Sequence, residues 1–289
     1  MKQIATLLVC VLLLTALGGC TPQHPAQVVT TTAPVYQFTR ALCQGTDITV
    51  TQLITESVSC LHDYSLSVRQ VRAVEGADLC IISGAGLETF MDDLHPAQVI
   101  DSSHGLHLLG CESEHDHDHH GHEHEADSHI WLSPVHAKEM SSNICAGLTK
   151  QYPQHQKIFQ TNLENLHQQL DDLYAYGTEL LSNLSCREMI TFHDGFAYLA
   201  HAFDLTILEA IEEESGSEAS AQELIHLISL VQTHQLPAIF TEMNGSTSAS
   251  AIIAAETGVT SRALDMAMAG SDYFKAMYYN LNTIKEALG

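Results

Sequence analysis

A chain of 289 residues with 45% hydrophobic content can bury a real core, as one large domain or two lobes, which excludes disorder throughout. Its 11 Lys+Arg against 35 Asp+Glu give a formal net charge of -24 without clustered cations, so nucleic acid is excluded as a partner and cationic ligands are favoured. Nineteen histidines is far above ordinary usage, and histidine is the commonest protein ligand for zinc, so metal is the first chemistry to consider.

The N-terminus, "MKQIATLLVCVLLLTALGGC", has one lysine, an apolar run over residues 4–17, and small residues ending at Cys20. It is too short to span a membrane stably and reads as an export signal over residues 1–19. Leu17-Gly18-Gly19-Cys20 looks like a bacterial lipobox, which predicts cleavage before Cys20, lipid on its sulfur, and a tether over residues 20–27. A plain secretory signal is the alternative. Either reading places the mature protein outside the cytoplasm, and the lipobox anchors it to the bacterial cell membrane. Beyond the signal stand Cys43, Cys60, Cys80, Cys111, Cys145 and Cys186, which allow 15 pairings that sequence cannot choose among. No C-x-x-C occurs, so a cysteine-based zinc knuckle is not expected. Cys60, two residues before His62, reads as a disulfide partner or buried thiol in preference to a ligand.

From residue 28 the chain alternates apolar β-branched runs with helical periods. "VVTTTAPVY", "DITVTQLIT", "ADLCIISG" and "AQVIDSS" read as strands, and "LSVRQVRAVEG" as a helix. In the second half "REMITFHDG", "LTILEAI" and "LPAIFTEM" read as strands, with helices at "FAYLAHAFD", "SAQELIHLISLVQTHQ" and "SASAIIAAETG". Such alternation is the signature of parallel sheets covered by helices. The expected fold is α/β, with an N-terminal lobe over residues 28–150 and a C-terminal lobe over residues 184–289. Between them Phe159, Leu163, Leu166, Leu170 and Leu173 recur at spacings of four, three, four and three, one apolar face of a long helix over residues 151–183. At roughly 1.5 Å per residue that helix would cross a two-lobed molecule. Four leucine steps are short for a zipper, so it is read as a linker within a monomer.

The stretch "ESEHDHDHHGHEHEADSHIWLSP" changes character midway. Residues 112–127 hold six histidines (His115, His117, His119, His120, His122 and His124) and seven carboxylates, with almost nothing apolar to offset the entropy of ordering. A mobile loop is expected there, acting as a weak, multi-site collector of zinc. The next residues bring the chain's only tryptophan, so His129 is expected on a scaffold. In open α/β sheets ligands sit beyond the carboxyl ends of strands, which singles out His62 in "CLHDYS", His129, and His193 at the end of "REMITFHDG". An acidic fourth group is expected from Asp265 in "VTSRALDMA", or otherwise from Glu242 ending "PAIFTEM". Three imidazoles with one carboxylate or water make a tetrahedral set suited to zinc.

These residues resemble a known family, the zinc-binding solute receptors of bacterial ABC importers of the cluster A-I type. "LHDYSLSVRQVRAVEGADLCIISGAGLE" is similar to its His-Asp-Tyr segment with Ala-Asp-Leu and a Gly-x-Gly-x-Glu turn, "DSHIWLSP" to its Asp-Pro-His-x-Trp-x-x-Pro pattern, and "TFHDGFAYLAHAFDL" to its third-histidine segment. "FTEMNGSTSASAIIAAETGV" followed by "LD" is similar to its C-terminal segment. The resemblance covers essentially the whole mature chain. It implies Zn2+ held by His62, His129 and His193 with Asp265 completing or flanking the site, and a permease and ATPase as partners. Where manganese receptors of the family usually carry a glutamate this chain has His193, and a nitrogen-rich set favours zinc over manganese. Ser128 stands in place of the usual proline, and Met266 follows Asp265 where proline is common. A manganese or other divalent-metal receptor, with or without an adhesin role, is the nearest alternative. A zinc hydrolase is a more distant one, since three histidines with an open position also describe catalytic zinc. Against an enzyme, no H-E-x-x-H or G-x-S-x-G occurs.

Overall fold

The computed structural model describes residues 27–56, 61, 64–110, 127–211, 219–268, 270 and 272–289. The apolar run at its start is not one strand. β1 (Gln27–Thr30) stops early and α1 (Ala33–Leu42) begins inside the same run, because Pro34 lies in the first helical turn, where its fixed φ suits a helix and its missing N–H costs nothing. There follow β2 (Thr49–Gln52), α2 (Val68–Glu75), β3 (Leu79–Ile82) and β4 (Val99–Asp101). All pairings are parallel in the order β2-β1-β3-β4.

Next come α3 (Pro134–Gln151) and α4 (Gln156–Leu180). The second lobe holds β5 (Glu188–Thr191), α5 (Ala197–Ala202), β6 (Thr206–Ala210), α6 (Ala221–His234), β7 (Ala238–Glu242), α7 (Ser248–Thr257), β8 (Thr260–Leu264) and α8 (Tyr273–Leu288). Its sheet is again parallel, ordered β6-β5-β7-β8. The expected α/β fold of two parallel-sheet lobes joined by a long helix is therefore what the chain forms. α4 has 25 residues, about 37 Å at the usual rise, and buries Phe159, Leu166, Leu170 and Leu173, the face that its periodicity predicts.

The two lobes share one core. A continuous cluster runs from Val28, Phe38 and Ile81 through Trp131 and the α4 leucines to Leu281 and Ile284 of α8. Strand alternation sends Phe240 into this shared core and Ile239 into a second cluster with Ile190, Leu227, Val231 and Ile253 beneath α6 and α7. Gly177 lets α4 approach closely, since a Cβ there would stand 2.4 Å from the Phe203 ring. A common core of this kind opposes free hinging between lobes.

In each sheet the strand order reverses between neighbouring strands, β1 and β3 in one and β5 and β7 in the other. The crevice beyond their carboxyl ends is where open α/β sheets bind ligands. In the N-terminal lobe the turn "GAGLE" closes this rim. Gly84, at φ +83°, could not carry a side chain, because a Cβ would fall 1.8 Å from Asp101 Oδ1. Glu88 folds back beneath it, its Oε1 accepting from the Thr31 hydroxyl (2.6 Å) and the Ser83 N–H (2.7 Å) and its Oε2 from the Gly84 N–H (2.9 Å). Burial pushes this carboxyl up to about 7 although all three donors pull it back. It ties the ends of β1 and β3 together.

Candidate metal centre

Three polar side chains reach one end of the second sheet from separate strands. His193 follows β5 by two residues, Glu242 ends β7, and Asp265 follows β8. His193 is half-buried and opens the short 3₁₀ turn Asp194–Phe196. Asp265 is held by its own backbone: its N–H donates to Asn280 Oδ1 (2.7 Å), while its Oδ1 accepts the Ala267 N–H (2.8 Å). That bond supports Ala267 in the left-handed region at φ +57°, a conformation a residue with a Cβ adopts only when its surroundings impose it.

His129 comes from the other lobe. It precedes the 3₁₀ turn Ile130–Leu132, and Ser133 then caps α3, its hydroxyl accepting the His136 N–H, with Pro134 opening the helix. The sequence "HIWLSP" thus encodes a rigid entry to a helix. Trp131, fully buried, fastens this entry to the C-terminal half, as its indole N–H donates to the Met266 carbonyl (2.8 Å) and its own carbonyl accepts the Tyr273 hydroxyl (2.8 Å). Asp127 Oδ1 accepts both the backbone N–H (2.9 Å) and ring Nδ1 (2.8 Å) of His129. A carboxylate there can only accept, so the proton sits on Nδ1 and Nε2 keeps its lone pair.

That lone pair faces His193. The two Nε2 atoms are 3.3 Å apart with the rings nearly perpendicular. Two nitrogens bound to one tetrahedral zinc at about 2.0–2.1 Å would stand about 3.3–3.4 Å apart, so this pair has the spacing that zinc requires. Among the described residues, His129, His193 and Asp194 form the group whose ligand atoms all lie within 4.8 Å of one another. Asp194 is exposed and also lines an acidic cavity of about 480 Å³ with Glu209, Glu223 and His226, a negative approach for a cation.

Glu242 is buried, and that burial raises its carboxyl to about 7; His129 lowers it and Asp265 raises it further. A raised acid is protonated below that value and must lose its proton to face a cation, so metal binding should weaken as pH falls through 7. The same sign gives the metal-free protein a stability increment that is full below the ordinary carboxyl range and lost as pH rises through about 7. In Glu242→Gln the part of the pH dependence lying near 7 should vanish, measured by zinc titration between pH 5.5 and 8. An unchanged profile would detach Glu242 from the centre.

Set against the expectations, His129 and His193 meet, and Glu242 and Asp265 stand on the same rim, although Asp265 is not in the group within 4.8 Å. His62, the histidines from His115 to His124, Cys20, Cys60 and Cys111 lie outside the described residues. Cys43, Cys80, Cys145 and Cys186 are free thiols, and burial pushes the first two up to about 12. Two contributors escaped the sequence reading. Asp194 adjoins His193 in "FHDG", where adjacency was the available signal. By composition Asp127 belongs to the acidic run, yet its backbone is folded, its N–H donating to the Leu109 carbonyl (3.2 Å). Among the described residues no helix is long and apolar enough to cross a membrane.

The fold and this rim of histidines and acids define a two-lobed metal-binding receptor. Comparison with solved structures gives a TM-score of 0.77 and 28% identity to a crystal structure of ZnuA, over 91% of this chain and all of that one. Zn(II)-bound AdcA from Streptococcus pneumoniae gives 0.77 at 26% identity, over 92% of this chain and 58% of that one. The high-affinity zinc uptake system protein ZnuA of Bacillus subtilis (strain 168) is 30% identical over 96% of this chain and 95% of its own length. The zinc-binding lipoprotein AdcA of Streptococcus pneumoniae (strain R6) is 31% identical over 99% of this chain, which spans 61% of that longer relative. The chain belongs to the ZnuA family, described as the periplasmic component A of the zinc-uptake complex, whose profile matches residues 28–287. Its family is one of solute receptors, and the chain is not an enzyme.

Proposed function

We propose that this protein is an extracytoplasmic receptor that captures Zn2+ between its lobes and delivers it to an ABC-type importer for high-affinity uptake. The observation that carries the reading is the 3.3 Å separation of His129 Nε2 and His193 Nε2, with the proton fixed on the far side of His129. His62 supplies the third imidazole, and the fourth position falls to one of the carboxylates on the rim, Asp265, Glu242 or Asp194. The nitrogen-rich set selects zinc over manganese. The zinc-uptake names carried by the family and by its relatives support the cargo. A permease and its ATPase are the partners, and lipid on Cys20 holds the monomeric receptor at the membrane. The histidines from His115 to His124 collect zinc weakly, raising its local concentration beside the site without fixed geometry.

Calorimetric titration of the metal-stripped mature protein tests this. One tight zinc event plus weaker ones is expected, with manganese weaker than the tight zinc event. Deleting residues 112–125 should remove the weaker events alone. Tight manganese binding would overturn the cargo, and an unchanged total zinc stoichiometry after the deletion would overturn the collector.

A further inference from the structure

Around the metal centre the lobes are joined by the histidine pair and by Trp131, and also at a place that neither involves. Tyr198, fully buried on α5 of the C-terminal lobe, accepts the Leu109 N–H on its hydroxyl at 2.9 Å. The Leu109 carbonyl accepts the Asp127 N–H at 3.2 Å. Leu109, ahead of the histidine-rich stretch, and Asp127, at its end, are thus hydrogen-bonded to each other, and Leu109 is pinned to the opposite lobe. Asp127 in turn commits Oδ1 to both N–H groups of His129. The bonds run without a break from Tyr198 through Leu109 and Asp127 to His129. Packing fixes the start of this path, since the Tyr198 ring meets the His136 ring edge-on at 4.9 Å in the first turn of α3.

We infer that Tyr198 and Asp127 are positioning residues for zinc. Asp127 sets the tautomer and direction of His129, and Tyr198 sets Asp127 by anchoring the stem formed by Leu109 and Asp127. This rests on the reading of His129 and His193 as zinc ligands. The physical consequence is insulation. With its stem held from the other lobe, the collecting stretch fills and empties without turning His129. Losing one hydroxyl from Tyr198 therefore harms the tight site more than losing the collecting stretch itself.

The test measures tight-site zinc affinity by chelator competition on the full mature chain. The variants are Tyr198→Phe, Asp127→Ala, their double, the deletion of residues 112–125, and His193→Ala, with urea unfolding of each metal-free protein alongside. Asp127→Ala should weaken zinc by about 10- to 100-fold, the usual effect of removing a carboxylate behind a ligating histidine. Tyr198→Phe keeps the ring and loses one hydrogen bond, for about a 3- to 10-fold loss. Because Tyr198 acts through Asp127, the double variant should bind as Asp127→Ala does, a non-additivity that general destabilisation would not produce. Asp127→Asn, which keeps an acceptor oxygen beside His129, should recover part of the loss. Wild-type affinity in Tyr198→Phe, or losses that multiply in the double variant, would overturn the inference. If His193→Ala kept the tight event, the zinc-centre reading itself would fall.

Discussion

His193→Ala is expected to abolish the tight zinc event while leaving the fold intact. Structural zinc sites contribute an apparent 10–16 kcal/mol, so one of four ligands is worth about 2.5–4 kcal/mol, or roughly two to three powers of ten in affinity. The side chain is half-buried beyond the end of β5, outside the sheet's pairing and outside both apolar clusters, so truncation leaves no core cavity. Urea unfolding of the metal-free variant should therefore stay within about 0.5 kcal/mol of wild type, as surface changes do. The same titration on Asp194→Ala, Glu242→Gln and Asp265→Ala sorts the carboxylates. The fourth ligand is the one whose loss costs as much as the imidazole. Asp265→Ala is the least clean of the three, because it also removes the acceptor that supports Ala267. A tight zinc event that survived in His193→Ala would mean that the 3.3 Å pair is a packing contact.

Much of this was legible because each signal was local. The strands follow from short apolar β-branched runs and the leucine face of α4 from a period of 3.6, and His193 from its place after an apolar run. The rim position of Glu242 followed the same logic. What sequence could not supply was coupling across distance. Trp131 and Met266 are 135 residues apart in the chain, and Leu109 and Tyr198 are 89 apart, yet each pair is joined by a hydrogen bond. Asp127 was misassigned for a related reason: composition places it with the acidic run, whereas its structure comes from a bond to Leu109 on the far side of that run. The early start of α1 was hidden because Val, Thr and Pro read as extended chain until Pro34 is recognised as a first-turn residue.

Trp131→Ala should produce the largest loss of stability among these substitutions, about 3–5 kcal/mol, as usual when a buried aromatic is removed from a core. The side chain is fully buried in the cluster that both lobes share, so the cavity opens where the lobes meet. Its neighbour is the proposed zinc ligand His129, whose ring lies 5.3 Å away, so zinc affinity should fall in the same variant. Trp131→Phe separates the two contributions. Phenylalanine refills most of the volume but cannot donate to the Met266 carbonyl, and an unsatisfied buried acceptor costs about 1–3 kcal/mol. Urea midpoints of the metal-free proteins should thus rank wild type above Trp131→Phe, and Trp131→Phe above Trp131→Ala. Zinc affinity should follow the same order, because the bond to Met266 holds the His129 segment against the turn that Asp265 supports. As the chain's only tryptophan, Trp131 also reports on its neighbour, and wild-type fluorescence should change on zinc binding in step with the tight calorimetric event. Equal stability and equal zinc affinity in Trp131→Phe and wild type would show that the indole fills space without tying the lobes together, and the shared core alone would then set the distance between His129 and His193.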